Sequence, residues 1–255
     1  MNIITVTKDN LEQEHICCAI SNNKDIQVSS KKSWLAERFE EGLVFIKGEV
    51  RGKCFIEYVP AEKAWCPIEA EGYMFIDCFW VSGQLKGQGN SNLLLDECIK
   101  DSREKGKKGL CILSSKKKMP FLSDPQYLKY KGFAVADTAA PYYELLHLPF
   151  GPSAPKPRFK PHAKIPKINE QGFVLFYAHQ CPFTAKHVPL ISEIAKAKSV
   201  PFKAIRFKTT AEAQYAPAPF TSYSLFYDGD FITNEILSGK KFEKLLIEKG
   251  LVSLD

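Results

Sequence analysis

The chain has 255 residues, of which 45% are hydrophobic and 25% are charged, and its formal net charge is +6. This composition excludes a disordered, collagen-like or coiled-coil chain, and the length predicts one large or two modest domains. The charge is moderate and no nucleic-acid-reading motif is present, so we expect no nucleic acid as a partner.

The apolar runs and the cysteines indicate the compartment. No apolar run approaches the roughly 20 residues that cross a bilayer, and the first residues lack a signal-peptide pattern. We therefore expect a cytoplasmic protein with no membrane partner. The eight cysteines include no C-x-x-C pair, and we expect most of them to be reduced thiols in the core. No set of four metal ligands is evident, so no metal site is predicted.

Residues 1–150 have the pattern of an α/β domain with a strand-rich middle. Apolar runs and alternation predict strands over residues 2–6, 43–48, 53–59, 73–81, 109–114, 133–137 and 142–150. Helical spacing predicts helices over residues 10–19, 33–41, 90–105 and 123–131. Gly132 is suited to ending the last of these helices in a left-handed conformation.

A proline-rich stretch divides the chain. Four prolines fall within residues 151–161, and proline lacks a backbone donor and restricts the residue before it. Residues 151–167 are therefore predicted to be a stiff, extended and basic linker. Residues 168–255 form a second domain, with strands predicted over 173–177, 202–207, 222–227 and 230–233 and helices over 182–198 and 241–249. Asp228-Gly229 suits a tight turn between the last two strands.

The most informative segment is Gln84-Leu85-Lys86-Gly87-Gln88-Gly89-Asn90, which follows a strong strand and opens an amphipathic helix. Glycines permit a sharp turn, and the first amides of a helix have no intrahelical partner and lie at its positive end. The segment therefore predicts a pyrophosphate cradle, with Lys86 adding a positive charge. It lacks both the G-x-G-x-x-G of dinucleotide-binding folds and the G-K-[ST] of Walker loops.

This segment resembles motif A of the GNAT superfamily of acetyltransferases, [QR]-x-x-G-x-[GA], and residues 127–133 resemble the end of motif B. The order of predicted elements over residues 2–150 also resembles the GNAT fold. The resemblance implies a mixed, largely antiparallel sheet and transfer of an acetyl group from acetyl-CoA to an amine of a small molecule or peptide. It implies that Phe79, Trp80 and Val81 lie beside the pantetheine arm and that amides from Leu85 to Asn90 hold the pyrophosphate. GNAT-like domains often pair, so a homodimer is an expected partner arrangement.

The catalytic positions depart from the family pattern. Leu128 occupies the position where many relatives carry a tyrosine general acid, and leucine cannot donate a proton. Tyr130 is the candidate acid in its place, and water is the alternative. Glu57 lies in an otherwise apolar strand and is the candidate general base, with a raised pKa if it faces the cleft. Asp77 and Cys78 are further candidates, and simple alternation places them on opposite faces of their strand.

The second domain begins with a buried strand that runs into Cys181-Pro182 at a helix start, and it resembles a thioredoxin-like fold. The whole second half resembles the small YoaP-like domain that follows some GNAT domains. A cysteine at a helix N-terminus has a lowered pKa, so Cys181 is a candidate reactive thiol. Thr184 occupies the resolving position, which excludes a dithiol cycle within this motif. Pro219 is the candidate for the proline that faces the cysteine in that fold.

Three hypotheses about function remain open. The favoured one is an acetyl-CoA-dependent N-acetyltransferase whose C-terminal domain assists recognition of the substrate or a partner. The second is a non-catalytic module that binds coenzyme A or a partner, which the loss of the acid at Leu128 favours. The third is a thiol oxidoreductase centred on Cys181. The first hypothesis requires acetyl transfer to an amine. The second predicts binding of coenzyme A without turnover, and the third predicts fast alkylation of Cys181.

Overall fold

The computed structural model describes residues 1–252, which form a seven-stranded sheet, a four-stranded sheet and a pair of two-residue strands. The first part contains β1 (Ile3–Val6), α1 (Ile26–Phe39), β2 (Val44–Gly48), β3 (Cys54–Pro60), β4 (Ile68–Glu69), β5 (Tyr73–Val81), α2 (Asn90–Glu104), β6 (Gly109–Ser115), α3 (Pro125–Tyr130), β7 (Ala134–Ala139) and β8 (Tyr143–Pro149). The remainder contains β9 (Arg158–Phe159), β10 (Phe173–Tyr177), α4 (Pro182–Ala197), β11 (Phe202–Arg206), α5 (Thr210–Gln214), β12 (Tyr223–Tyr227), β13 (Asp230–Thr233) and α6 (Gly239–Glu248). Among the described residues, no helix is both long and apolar enough to cross a membrane.

The seven-stranded sheet has the order β1-β2-β3-β5-β6-β8-β7. Its pairs are antiparallel except β5 and β6, which confirms the predicted mixed, largely antiparallel sheet. The pairing of β5 with β6 runs from Tyr73↔Gly109 to Ile76↔Ile112 and stops there, although both strands continue. The two strands therefore part, and residues 77–81 face a gap where a neighbouring strand would lie.

A β-bulge on β5 decides which way the side chains next to this gap point. Tyr58 pairs with Ile76 and Glu57 pairs with Cys78, so Asp77 is an extra residue in the ladder. An extra residue breaks the alternation of faces. Cys78 packs on the face of the sheet that α1 covers, and Asp77 lines a cavity on that same face. The prediction that Asp77 and Cys78 lie on opposite faces is therefore wrong.

The four-stranded sheet has the order β11-β10-β12-β13. β10 is parallel to β11 and antiparallel to β12, and β12 and β13 form the predicted hairpin about Asp228 and Gly229. One face packs against α4 and α6 in a core that includes Leu175, Ile191 and Phe242. The other face packs against the first part through residues such as Phe176 and Phe231. Because both faces are buried, the strands of this small sheet are apolar.

Residues 10–19 do not form the predicted helix. The segment consists of turns, and Cys17 has a φ of 60°, which is incompatible with a right-handed helix. Its polar side chains bind the β2–β3 hairpin instead, since Glu14 pairs with Lys47 at 2.6 Å and His15 contacts the Val50 carbonyl at 2.9 Å. The helix predicted over residues 33–41 begins earlier, because Asp25 caps it by accepting a hydrogen bond from the Gln27 amide at 2.9 Å.

The proline-rich segment packs against the first part instead of standing away from it. β9 pairs with β4 through Ile68↔Phe159, and Phe159 is 1% exposed. The Phe159 amide donates to Asp137 at 2.9 Å, and the Lys164 ammonium lies 2.8 Å from the same carboxylate. These contacts were not predicted, because the partners lie some 20 to 90 residues apart in the sequence.

The two parts share one core. The largest buried cluster contains Trp34, Trp65 and Phe75 from the first part together with Phe207 and Ala213 from the second. Helix α1 packs against α4, and the Trp65 indole donates to Thr210 at 3.1 Å. The second part is therefore fixed against the face of the large sheet that carries Asp77.

Candidate active site

The segment between β5 and α2 forms an open loop of glycines and exposed polar residues. Gly83, Gly87 and Gly89 have φ angles of 64°, 75° and 78°, a region that glycine occupies without strain. A Cβ at any of the three would meet nothing within 4 Å, so backbone conformation and not crowding requires glycine here. The loop leaves room for a ligand on its outer side.

Side chains brace this loop from within. The Gln88 amide donates to the Gln84 carbonyl at 2.7 Å, and the buried Asn90 amide donates to the Leu85 carbonyl at 2.9 Å. Gly89 is the N-cap of α2 and provides no side-chain acceptor for the first helical amides. Those amides point towards the loop at the positive end of the helix dipole, beside the exposed Lys86. The arrangement suits a pyrophosphate group.

The end of β5 presents residues to both faces of the sheet beside the gap. Phe79 points to the α2 side and meets the Tyr127 ring at 5.8 Å, while Val81 is buried in the same core. Trp80 points to the opposite side, where the Lys53 ammonium lies 4.2 Å from its ring. The backbone of residues 77–81 has no ladder partner on the β6 side.

A cavity of about 30 Å³ lies where β5 and β6 part. The first part lines it with Trp65, Cys66, Phe75, Asp77 and Leu113, and the loop after β6 adds residues 121–123. The second part lines it with Gln180 and residues 219–222. The cavity is therefore shared between the two parts of the chain, at the inner end of the gap between the strands.

Asp77 is the charged group at this cavity. Its Oδ1 atom is buried and has no hydrogen-bond partner among the described residues. Burial raises the pKa of Asp77 well above its usual range, and the nearby Glu57 carboxylate raises it further. Lys31 and Arg38 on α1, and the side-chain amide of Gln180 that lines the same cavity, act in the opposite direction on this pKa. Strongly shifted carboxylates in clefts are candidates for proton transfer.

Gln180 reaches Asp77 from the second part. The Ser222 hydroxyl donates to Gln180 Oε1 at 3.1 Å, which leaves the NH₂ end of the amide free to donate to the Asp77 carboxylate. Gln180 was not among the predicted site residues, and nothing in its local sequence marks it. Its role depends on the packing of residues about 100 positions apart.

Glu57 is not at the cavity. It is 0% exposed and forms an ion pair with Lys31 at 2.6 Å, and Lys31 is itself 1% exposed. Burial raises the pKa of Glu57, although this residue does not face the cleft as predicted, and the Lys31 ammonium opposes this change. The expected cleft-facing base is thus a buried neighbour of Asp77, because the bulge turns Asp77 and not Glu57 towards the gap.

Tyr130 lies in solvent. It is 84% exposed at the end of α3, whereas Leu128 is 1% exposed in the core below α2. Tyr127 is the tyrosine of this helix that faces the gap strand, and its hydroxyl donates to Asn92 at 3.2 Å. Burial raises the pKa of Tyr127 to about 12. The structure therefore does not bring the predicted acid Tyr130 to the cofactor strand.

Cys181 departs from the behaviour predicted for a cysteine at a helix start. It is the N-cap of α4, but burial raises its pKa to about 12, where a lowered value was expected. The Thr184 hydroxyl donates to the carbonyls of Ala178 and Cys181, both at 2.8 Å, so it acts as a structural group. Within residues 1–252 the cis peptide bond precedes Pro141, and Pro219 follows a trans bond.

We expect Cys181 to alkylate slowly at neutral pH. A thiol with this pKa is about a thousandfold less ionised than an ordinary cysteine, and the thiolate is the reactive form. Mass spectrometry of the native protein during iodoacetamide treatment measures the rate at each cysteine, and the denatured protein is the control. Fast and selective labelling of Cys181 would contradict this expectation and favour the thiol oxidoreductase.

Among residues 1–252, no group of three or more histidine, cysteine or carboxylate side chains has the geometry of a metal site. Two histidines near Cys181 have lowered pKa values, chiefly because they are partly buried. One of them, His179, lies 3.5 Å from the Arg206 guanidinium, and the Nδ1 atom of the other, His187, has no partner.

Comparisons with known proteins give a sequence relative and several structural ones. A family model described as YoaP-like matches residues 201–244. An uncharacterized N-acetyltransferase of Bacillus subtilis (strain 168), YoaP, is 44% identical over 247 residues, which cover 96% of this chain and 98% of the relative.

Solved acetyltransferase structures match at lower similarity. One is a GNAT-family acetyltransferase from Brucella melitensis in complex with acetyl-CoA (15% identity, 61% of this chain and 91% of that chain, TM-score 0.38). Another is the PaiA N-acetyltransferase from Thermoplasma acidophilum in complex with coenzyme A (15% identity, 59% of this chain and 100% of that chain, TM-score 0.39). The family assignment depends on the sequence relative.

Proposed function

The chain belongs to the YoaP-like family, and on that premise we propose that it is an acetyl-CoA-dependent N-acetyltransferase. The observation that carries the proposal is the gap between β5 and β6. The gap begins at Asp77, a carboxylate with a raised pKa. From Asp77, strand β5 runs along the gap to the glycine loop at the start of α2. A thioester donor that lies in this gap brings its acyl end to Asp77 while its pyrophosphate lies on the loop.

We assign the donor site to two adjoining segments. The backbone of Phe79, Trp80 and Val81 lies along the gap and is free to bind the pantetheine arm. The amides from Leu85 to Asn90, together with the polar groups of Gln84, Lys86 and Gln88, surround the pyrophosphate position. The Lys86 amide donates to the Gly83 carbonyl at 3.2 Å, so its ammonium and the amides that follow it in the loop are the groups that we assign to the pyrophosphate.

The chemistry assigned to Asp77 is removal of a proton from the acceptor amine. The amine nitrogen attacks the thioester carbonyl, a C–N bond forms, the C–S bond breaks, and Asp77 accepts the proton that the nitrogen loses. The leaving thiolate takes a proton from water, since Leu128 replaces the usual tyrosine and Tyr130 is exposed. The raised pKa of Asp77 brings its basicity closer to that needed near neutral pH.

Glu57 and Lys31 support Asp77 without contacting substrate. Their buried ion pair places one negative and one positive charge behind the bulge, and both act on the pKa of Asp77. Removing either partner leaves an uncompensated buried charge, which is strongly destabilising. We therefore assign the pair to the structure of the site and not to proton transfer with the acceptor.

We propose that the second part is thioredoxin-like in fold and serves in acceptor recognition. Its β-α-β-α-β-β-α order and the sheet order β11-β10-β12-β13 support the fold. The recognition role is supported by Gln180 and residues 219–222, which close the cavity around Asp77. The raised pKa of Cys181 disfavours the thiol oxidoreductase.

Replacing Gln180 with leucine is expected to move the acid limb of the kcat/KM profile upwards by about one pH unit. The amide donor stabilises the ionised Asp77, so its loss raises the pKa of Asp77 further and a higher pH is needed to ionise the base. Ser192→Ala is the matched control, since that hydroxyl donates within α4 to Val188. An unshifted limb in a Gln180→Leu protein that still binds acetyl-CoA contradicts the assignment.

The experiment that tests the proposed function is calorimetric titration with acetyl-CoA, followed by assay of free coenzyme A thiol with a panel of primary amines. We expect saturable 1:1 binding and amine-dependent thiol release. If acetyl-CoA binds but none of the amines causes thiol release, the non-catalytic module is supported. If acetyl-CoA does not bind, the acetyltransferase is overturned. We further propose the cytoplasm as the compartment, where free thiols like the eight found here are usual, and a homodimer stays a prediction.

A further inference from the structure

The cavity beside Asp77 limits the shape of the acceptor. A buried space needs roughly 10–15 Å³ of this volume to hold one water molecule, so about 30 Å³ holds two. Two such positions correspond to a nitrogen atom and a single methylene group. The rest of an acceptor must extend past Phe121, which also lines the cavity and is 42% exposed.

The walls of the cavity are held in place from both parts of the chain. Trp65 packs edge-on against Trp34 at 5.8 Å and under the Arg38 guanidinium at 5.0 Å. Its carbonyl accepts a hydrogen bond from the buried Thr221 hydroxyl, and its indole donates to Thr210. A methyl branch next to the acceptor nitrogen therefore meets packed atoms that cannot move without disturbing the shared core.

Charge adds a second restriction. Of the described residues that line the cavity, Asp77 alone carries a charged side chain. Arg38 lies nearby, but its guanidinium is 3.4 Å from Glu41 and covers Trp65. A carboxylate on the acceptor close to the amine would be repelled by the Asp77 carboxylate, and no free cation among the described residues lines the cavity to offset this repulsion. An ammonium group on the acceptor would instead be attracted to Asp77.

We propose that the acceptor is a primary amine on an unbranched methylene carbon, with no carboxylate near the amine. The inference rests on the proposed function. It excludes the α-amino groups of free amino acids and of protein N-termini other than glycine, whose nitrogen is bonded to a branched carbon, and it excludes free glycine because of its carboxylate. It includes alkylamines, arylalkylamines and the side-chain amine of lysine.

Two matched pairs of amines test this in the full-length protein, with thiol release from acetyl-CoA as the readout. Benzylamine and α-methylbenzylamine differ by one methyl branch. In β-alanine a carboxylate close to the amine replaces the terminal methyl group of propylamine. We expect kcat/KM to fall about tenfold or more within each pair, the range that one misfitting methyl group produces in a hydrophobic pocket.

A variant separates pocket shape from the intrinsic reactivity of the amines. Phe220→Ala widens the cavity wall, so we expect the benzylamine preference to fall by about threefold or more. Phe202→Ala removes a partly buried ring that packs on Phe242, remote from the cavity, and should keep the preference. Both phenylalanines are partly buried in the second part, so the two substitutions remove a similar amount of packing.

Equal rates within either pair overturn the acceptor assignment and leave the acetyltransferase intact. An undiminished preference in Phe220→Ala shows that the cavity does not select the acceptor and also overturns it. Thiol release with other amines of the panel but with none of these four overturns the acceptor class alone. Binding of acetyl-CoA with no release from any amine of the panel overturns the catalytic function.

Discussion

Asp77→Asn is expected to lower the rate of acetyl transfer by about a hundred- to ten-thousandfold, the usual contribution of a positioned general base. Asparagine has the same shape and cannot accept a proton from the amine. Acetyl-CoA binding should be nearly unchanged, because the donor is held by the backbone of residues 79–81 and by the loop from Gln84 to Asn90 and not by this carboxylate. Thiol release measures the rate and calorimetry measures the binding.

The pH profile of the wild-type protein provides a second readout of the same group. Only ionised Asp77 accepts a proton, so kcat/KM should rise with pH through a limb above the ordinary range of an aspartate. Asp77→Asn should lose that limb. Asp137→Asn is the matched control, since Asp137 is a half-buried carboxylate on β7 that binds Lys164, and its pKa is lowered by its hydrogen bonds although burial opposes them. Wild-type rates in Asp77→Asn would rule out Asp77 as the base.

Gly89→Glu is expected to weaken acetyl-CoA binding by about a hundredfold or more, equivalent to about 2.7 kcal/mol. Two effects act together. Gly89 has a φ of 78°, which a side chain adopts with strain, and the new carboxylate would lie where the pyrophosphate is held. Gly89→Ala carries the strain without the charge, and its Cβ meets nothing within 4 Å, so its loss should be smaller. Calorimetric titration of the three proteins measures the difference.

Gly106→Glu controls for the substitution itself. Gly106 follows the other end of α2, has a φ of 65°, and also has open space around its Cβ position. The same strain and charge at that end should leave acetyl-CoA binding unchanged. Equal losses from Gly89→Glu and Gly106→Glu, or no loss from Gly89→Glu, would show that the loop is not the pyrophosphate site.

The elements that could be predicted are those whose pattern is local. The period of apolar residues predicted α2, α4 and the long strand β5, and the pair Asp228-Gly229 predicted a hairpin turn. The helix predicted over residues 10–19 failed because Glu14 and His15 bind the β2–β3 hairpin, contacts that no local pattern reveals. Tertiary contacts outweigh the small intrinsic preference of such a segment for a helix.

The candidate site divides in the same way. The sequence by itself determined the glycine loop, since positive φ angles and open amides at a helix start depend on residues that are adjacent in the chain. Only the tertiary structure decided that Asp77 faces the cavity, because the bulge arises from pairing with Glu57 and Tyr58 on another strand. The same holds for Gln180, which meets Asp77 through the packing of the two parts.

Cys181 shows the physical reason most plainly. Its position at a helix start is a property of the sequence and predicts a lowered pKa. The tertiary structure packs this half-buried residue beside groups of the first part, and desolvation raises the pKa to about 12 instead. Local sequence determines backbone conformation and helix ends, whereas burial, charge neighbours and cavity shape are set by residues that only folding brings together.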